Sequence, residues 1–84
     1  MNKSELVQAL AARPPIKRRE DAEAAVDGIA SIIWHALERG EPVEWAGMGT
    51  FTVVHTARHR RVVEFHPASE LDIAANRHAE TSAL

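Results

Sequence analysis

Apolar residues recur at two different spacings along the chain, and each spacing predicts a different kind of element. Over residues 3–12 they step by three and four, as in a helix that buries one face. Asn2 and Glu5 stand three apart, the spacing of a helix-start capping pair. Pro14-Pro15 must end this helix, because proline excludes the α conformation from the residue before it and donates no amide hydrogen.

A longer stripe at the same spacing predicts a second helix over about residues 18–39. Gly40 follows it, which suits the left-handed residue just past a helix end. The start of this helix lacks a Ser, Thr, Asp or Asn cap and carries Arg18 and Arg19 near the positive end of the dipole. Residues 1–40 are therefore predicted to form a helical hairpin.

In the segment 41–66 the spacing of apolar residues changes to two, which predicts β-strands. Val43 and Trp45 precede the triplet Gly47-Met48-Gly49, and Phe51 follows it at the same alternation. Two glycines around one residue permit positive φ angles on either side. The pattern predicts a tight antiparallel turn between two strands.

A third β-rich run occupies residues 62–65, and a short helix is predicted over residues 67–78. The last residues, 79–84, are small and polar, and we expect them to fray. The elements follow the order α-α-β-β-β-α, so residues 1–84 are predicted to form a single α+β domain.

Composition limits what such a domain can be. A chain of 84 residues buries only roughly 60–65% of its unfolded surface if it stays alone, and without cysteine it has no disulfides to compensate. Its opening residues are polar, and no stretch approaches the roughly 20 apolar residues of a membrane span. Ten Lys and Arg against twelve Asp and Glu give a net charge of −2. Any binding to nucleic acid must therefore use local basic patches.

Four motifs together resemble the bacterial histone-like HU and integration host factor (IHF) family. In chain order they are MNKSEL, AEAAVDGIASIIWHALERGEPV, GMGTF and FHPASELDIAAN. The resemblance implies an intertwined dimer with a helical body, a saddle of strands and two β-ribbon arms that wrap the minor groove of bent DNA. It also implies a cytoplasmic, nucleoid-associated protein that binds double-stranded DNA.

The arm is where the chain departs most from that family. Only fourteen residues lead from Phe51 to Phe65, so the β-arm is much shorter than the family's and is predicted to be a hairpin around residues 57–60. The intercalating proline of the family's arm tip has no counterpart here. In addition, Met48 stands where the family has phenylalanine, an exchange of one apolar residue for another.

The run of residues 54–61 holds three arginines, two histidines and no acid, which favours phosphate contact. The alternative is a solvated hairpin whose charges prevent edge pairing with other chains. Arg58 matches the start of the family's arm, and Lys3 matches a position that faces the DNA flank, although an ordinary exposed lysine would look the same. The predicted DNA-binding residues are Arg58, Arg60, Arg61, His59, His55 and Lys3.

Two further charged groups bear on this hypothesis. A second basic cluster, which could contact DNA or an acidic partner or simply be a charged interhelix turn, comprises Arg13, Lys17, Arg18 and Arg19. On the last helix, where the family tends to carry lysines, the chain has Ser69, Glu70 and Asp72. These two acids would repel phosphate.

The large apolar residues are predicted to form the core of a dimer. They are Ile29, Ile33, Trp34, Leu37, Trp45, Phe51 and Phe65. Trp34 and Trp45 could instead stack on bases, but their spacing places them beside the apolar stripe and on the inward side of a strand.

We expect no metal, cofactor, membrane or small-molecule partner, and no enzymatic activity. His55 and His59 have a ligand spacing suited to a helix and not to a strand, and no nucleophile stands near a base in a recognisable arrangement. The function favoured is that of a dimeric architectural DNA-binding protein with weak, sequence-independent, salt-sensitive binding and little bending. The alternative is a protein-interaction module that has lost DNA binding and pairs with itself or, as a heterodimer, with a full-length relative.

Overall fold

The computed structural model of the chain describes the backbone of residues 1–83 and the side chains of residues 1–77. The elements follow the predicted order α-α-β-β-β-α, and the fold class is α+β as expected. The chain divides into two compact units, residues 1–35 and residues 36 onward. None of the helices within residues 1–83 is long and apolar enough to cross a membrane.

Helix α1 spans Lys3–Ala11 and begins with the predicted capping box. The Asn2 side chain accepts a hydrogen bond from the Glu5 amide at 2.9 Å, and the Asn2 amide donates to the Glu5 carboxylate at 3.3 Å. These two bonds satisfy amides that a helix start otherwise leaves without partners. The helix ends before the two prolines, as predicted.

Helix α2 spans Arg19–Glu38. Glu20 and Asp21 lie in its first turn, where their negative charges interact favourably with the positive end of the helix dipole. At the other end Gly40 adopts a φ of +77°, as predicted. The amides of Gly40 and Glu41 donate to the Leu37 and Ala36 carbonyls, each at 2.9 Å, which satisfies the last turn.

Strands β1 (Val43–Trp45), β2 (Gly49–His55) and β3 (Arg61–Pro67) form one antiparallel sheet in the order β1-β2-β3. The Gly47-Met48-Gly49 turn is confirmed, and the Met48 amide donates to the Trp45 carbonyl at 2.9 Å. A Cβ on Gly49 would lie 2.3 Å from the His66 carbonyl oxygen, so only glycine fits there. β3 is longer than the predicted run of residues 62–65 because its pairing with β2 continues at both ends.

The sheet has two chemically different faces. The apolar face carries six cross-strand neighbours: Val43, Trp45, Phe51, Val53, Val63 and Phe65. The polar face carries Glu44, Thr50, Thr52, Val54, Val62, Glu64 and His66. On the apolar face the Phe51 and Phe65 rings pack with their centroids 4.8 Å apart.

Helix α3 spans Ser69–Ala83, so it starts later and runs further than the predicted span of residues 67–78. Pro67 instead closes β3, and the Ala68 amide donates to the Met48 carbonyl at 2.9 Å. That bond holds the chain extended just before the helix begins. The fraying expected for residues 79–84 stays a prediction, and Leu84 and the side chains from residue 78 lie outside the described residues.

Few side chains are buried in one copy of the chain. Among the described residues the buried apolar side chains are Val7, Ala22 and Ala36. Ile32 and Trp34, by contrast, are 72% and 70% exposed. Apolar area this large is normally covered in a soluble protein.

Candidate nucleic-acid interface

The turn between β2 and β3 is built from Thr56 and His59. The Thr56 amide donates to the Arg60 carbonyl at 2.8 Å, and the His59 amide donates to the Thr56 carbonyl at 3.0 Å. His59 adopts a φ of +60°, which places a left-handed residue at the end of a three-residue loop, one of the common hairpin connections. The predicted short hairpin around residues 57–60 is confirmed.

The Thr56 hydroxyl supports the same loop from within. Its Oγ1 accepts from the Arg58 amide at 3.4 Å and from the Arg60 amide at 3.3 Å. Threonine hydroxyls bond nearby backbone amides in turns, so Thr56 is the residue whose type could have predicted this turn from the sequence. The hydroxyl helps to fix the backbone from which two arginines project.

Residues 56–60, called the basic turn below, carry Arg58 and Arg60, which have no acidic partner among the described residues. Within the described residues, no ion pair or side-chain hydrogen bond engages the guanidinium of Arg58 or Arg60. Both side chains are exposed. The basic turn therefore offers positive charge that a phosphate could neutralise.

Several cations elsewhere are already paired. Arg18 pairs with Glu20, and Arg39 Nη2 lies 3.1 Å from Glu41 Oε2. In the second basic cluster Arg19 Nη2 donates to Ser4 Oγ at 3.3 Å. The two ion pairs reduce the charge that these arginines offer to a partner, whereas the neutral Ser4 hydroxyl leaves the charge of Arg19 in place.

Lys3 belongs to this paired group. Its Nζ lies 2.8 Å from Asp27 Oδ1. The hydrogen bond and the negative charge of Asp27 raise the pKa of Lys3 above the ordinary value of 10.5. A phosphate would have to compete with this carboxylate for the lysine.

Arg61 and His55 lie on the apolar face, where they are cross-strand partners in the last pair before the basic turn. A Cβ on Gly40 would lie 2.8 Å from Arg61 Nη2, so the guanidinium lies against the residue just past α2. Carbonyls at a helix C-terminus attract such a cation. The structure thus brings Arg58, His59 and Arg60 together in one turn, and it places Arg61 at a helix end.

Acidic groups border the polar face of the sheet. Glu64 Oε1 lies 3.8 Å from His66 Nε2, and His66 Nε2 lies 3.2 Å from Thr52 Oγ1. An open groove of about 440 Å³ is lined by Glu44, His66 and Glu70 among others. Negative charge on this side of the sheet therefore increases with distance from the basic turn.

Within the described residues, no group of three His, Cys, Asp or Glu side chains could hold a metal ion.

The described residues form two helices, a three-stranded antiparallel sheet and a closing helix. The hairpin between β2 and β3 of this small α+β protein carries exposed arginines. Residues 1–61 match the family described as "Bacterial DNA-binding protein". The chain belongs to this family, which comprises the HU and IHF proteins. It is a family of DNA-binding architectural proteins and not of enzymes.

Curated relatives of the chain include IHF subunits. The chain is 53% identical over 55 residues to the IHF subunit beta of Rhizobium radiobacter, and the match covers 66% of this chain and 54% of that protein. It is 40% identical over 55 residues to the Haemophilus influenzae subunit, covering 66% and 58%. The chain thus spans about half the length of the curated relatives it matches.

Solved structures of HU proteins share the fold. The HU protein from Thermotoga maritima superposes with a TM-score of 0.74 at 31% identity, covering 89% of this chain and 98% of that one. The HU protein in the Anabaena HU–DNA cocrystal structure superposes with a TM-score of 0.76 at 22% identity, covering 89% and 97%. The second likeness bears on the fold alone.

Proposed function

We propose that this chain forms a dimeric, histone-like architectural protein that binds double-stranded DNA weakly, without sequence preference and with little bending. Its site of action would be the cytoplasmic nucleoid. Arg58 and Arg60 supply the main contacts with phosphates, and His59 lies between them. Lys3 adds a secondary contact when it leaves Asp27.

The observation that carries this proposal is the basic turn with its unpaired arginines. A cation without an internal partner gives up no ion pair when it binds phosphate, and each phosphate it neutralises releases a counterion. Arg18 and Arg39 lack this advantage because they are paired with Glu20 and Glu41. The Thr56 hydroxyl accepts hydrogen bonds from the backbone amides of both arginines, which ties them to one loop.

Weak bending follows from the residues at the turn. A protein that kinks DNA inserts an apolar wedge between base steps. The loop residues here are Ala57, Arg58 and His59, and none is a large apolar side chain. Contacts of this kind hold a duplex without unstacking it.

The dimer is proposed from the exposed apolar side chains. Trp34 is 70% exposed, and Ile29, Trp45 and Phe65 are each between 42% and 44% exposed. Ile33, Leu37 and Phe51 are half-buried. Covering these seven side chains would supply the core that one copy lacks, so folding and association would be coupled.

The test is a fluorescence anisotropy titration of duplex DNA at about 50 mM and 200 mM salt. The variant R58A/R60A should bind more weakly, and its salt slope should fall by about 2 for each subunit in contact. The matched control is R39A, which removes an arginine that is paired with Glu41. R39A should leave both affinity and slope near the wild-type values.

A second function is favoured by one observation, the acidic border formed by Glu44, Glu64 and Glu70. A protein-interaction module that pairs with a full-length HU or IHF relative would need no phosphate contact. Absence of DNA binding at about 50 mM salt, or binding that is indifferent to R58A/R60A, would support this second function. In that case mixing with a long-armed relative should produce a mixed dimer in native mass spectrometry.

A further inference from the structure

The open groove of about 440 Å³ lies at the end of the sheet furthest from the basic turn. One row of cross-strand neighbours on the polar face, Glu44, Thr50 and His66, lines it together with Glu70 of α3. These four residues are called the acidic groove below. Within the described residues, no ion pair or side-chain hydrogen bond engages the carboxylate of Glu44 or Glu70. The acidic groove therefore offers negative charge that a cation could neutralise.

The same chain carries a surface of opposite charge. Arg58 and Arg60 of the basic turn are exposed and have no acidic partner among the described residues. Charges that lack internal partners on both sides can pair without breaking an existing ion pair. Arginine also matches a carboxylate in shape, because the planar guanidinium can donate two hydrogen bonds to it. The basic turn and the acidic groove are therefore complementary.

Distance prevents the two surfaces of one chain from meeting. The acidic groove lies at the Thr50 end of β2, and the basic turn begins at Thr56, beyond the other end. The strand advances about 20 Å between these residues, which is further than an arginine side chain reaches. The row of groove residues lies on the polar face, so it stays open when the apolar face is covered in the proposed dimer. The basic turn can therefore reach only the groove of another copy.

We propose that the basic turn of one copy docks in the acidic groove of a second copy, with Arg58 and Arg60 against Glu44 and Glu70. Because turn and groove are different patches, the contact is head-to-tail and can repeat from copy to copy. This inference goes beyond the proposed function but involves the same two arginines. A docked turn cannot offer them to phosphate, so self-assembly and DNA binding exclude each other at that turn.

The experiment measures assembly by sedimentation velocity without DNA, at about 50 mM and 500 mM salt. At low salt the wild type should sediment faster than the charge-reversed variants R58E/R60E and E44R/E70R, in which turn and groove carry like charges. High salt should remove the difference, because it screens exposed charges. A mixture of the two variants should assemble again at low salt, since each turn then finds a groove of opposite charge in the other variant.

Two further sets of variants separate docking from other effects of charge. R58Q/R60Q and E44Q/E70Q remove the charges without reversing them, and each should weaken assembly about tenfold. The matched control is R13E/K17E, which changes the net charge as much as R58E/R60E does but leaves turn and groove intact. It should assemble like the wild type.

A wild type that sediments at low salt like R58E/R60E would overturn the inference, and so would a mixture of reversed variants that fails to assemble. Loss of assembly in R13E/K17E as large as in R58E/R60E would overturn it as well, because net charge would then be the cause. An arginine-rich peptide that binds the acidic groove of a wild type that does not assemble would assign the groove to another protein. All four outcomes leave DNA binding untouched, whereas failure to bind DNA at low salt would overturn the proposed function alone.

Discussion

The guanidinium of Arg61 lies against the backbone of Gly40, where a Cβ would come within 2.8 Å of its Nη2. Gly40 also has a φ of +77°, so an alanine would meet backbone strain, while the flexible end of the Arg61 side chain could move aside. We expect Gly40→Ala to lower the free energy of unfolding by about 1–2 kcal/mol. Urea denaturation at fixed protein concentration measures this.

Gly40→Asn is the matched control, because asparagine tolerates the left-handed conformation better than alanine. It should cost less than alanine does. Equal losses for both variants would show that contact with Arg61, and not backbone strain, sets the cost.

Arg61 itself should behave as a helix-end residue. Arg61→Ala should lower the free energy of unfolding by about 0.3–1 kcal/mol, because it removes a cation from the negative end of α2. Its effect on the salt slope of DNA binding should be smaller than that of Arg58→Ala. If Arg61→Ala changed the salt slope more than Arg58→Ala does, Arg61 would be a phosphate-binding residue, as the sequence predicted.

The left-handed residue of the basic turn should respond to substitution in both directions. His59 has a φ of +60°, which costs a residue with a Cβ more than it costs glycine. His59→Gly should raise the free energy of unfolding by about 0.5 kcal/mol, and His59→Val should lower it by about 1 kcal/mol. Two destabilised variants would contradict the assigned turn geometry. Urea denaturation at one protein concentration again gives the values.

The Lys3–Asp27 pair predicts a pH dependence with a definite sign. Because the pair raises the pKa of Lys3 in the folded protein above 10.5, its contribution to stability is complete below that pH and is lost as pH rises through the folded-state pKa. NMR titration of the Lys3 side chain should give a pKa above 10.5 in wild type. Asp27→Asn should bring it back down, and an unchanged value would exclude Asp27 as the cause.

The proposed dimer predicts a melting temperature that depends on protein concentration. Trp34→Lys should weaken association by about 3 kcal/mol, or roughly a hundredfold in Kd. The reason is that it removes a large apolar side chain from the proposed dimer core and puts a charge in its place. Sedimentation equilibrium measures the Kd directly. Met48→Lys alters a residue that is 46% exposed and lies outside the predicted dimer core, so it should leave the Kd nearly unchanged.

Bending can be tested independently of affinity. We expect energy transfer between dyes at the ends of a duplex of about 30 base pairs to indicate a bend below about 20° at saturation. The reason is that the basic turn carries no apolar wedge. A bend close to the upper end of the 20–90° range of wedge-inserting proteins would contradict the proposal.

Elements fixed by local chemistry could be predicted from the sequence. The Asn2–Glu5 capping box and the positive φ of Gly40 depend on neighbouring residues, and both are confirmed. The same holds for the hairpin at Gly47-Met48-Gly49. The fold could be predicted because these local signals occur in the order that is typical of the HU and IHF family.

Features fixed by distant contacts could not be predicted. The ends of β3 depend on its register with β2, and the Lys3–Asp27 pair joins residues far apart in sequence. Arg61 stands one residue from Arg60, yet the pleat sends its side chain to the apolar face and Gly40 makes room for it. Sequence adjacency grouped Arg61 with Arg58 and Arg60, and the sheet separates Arg61 from the other two.

The length of the β2–β3 hairpin also bears on how the protein would leave DNA. From Phe51 to Thr56 the strand advances about 17 Å, about half the 34 Å rise of one turn of B-DNA. A projection that short can touch a duplex from one side but cannot encircle it. Release would therefore need no unwrapping step, and a polymerase moving along the duplex could displace the protein in a single event.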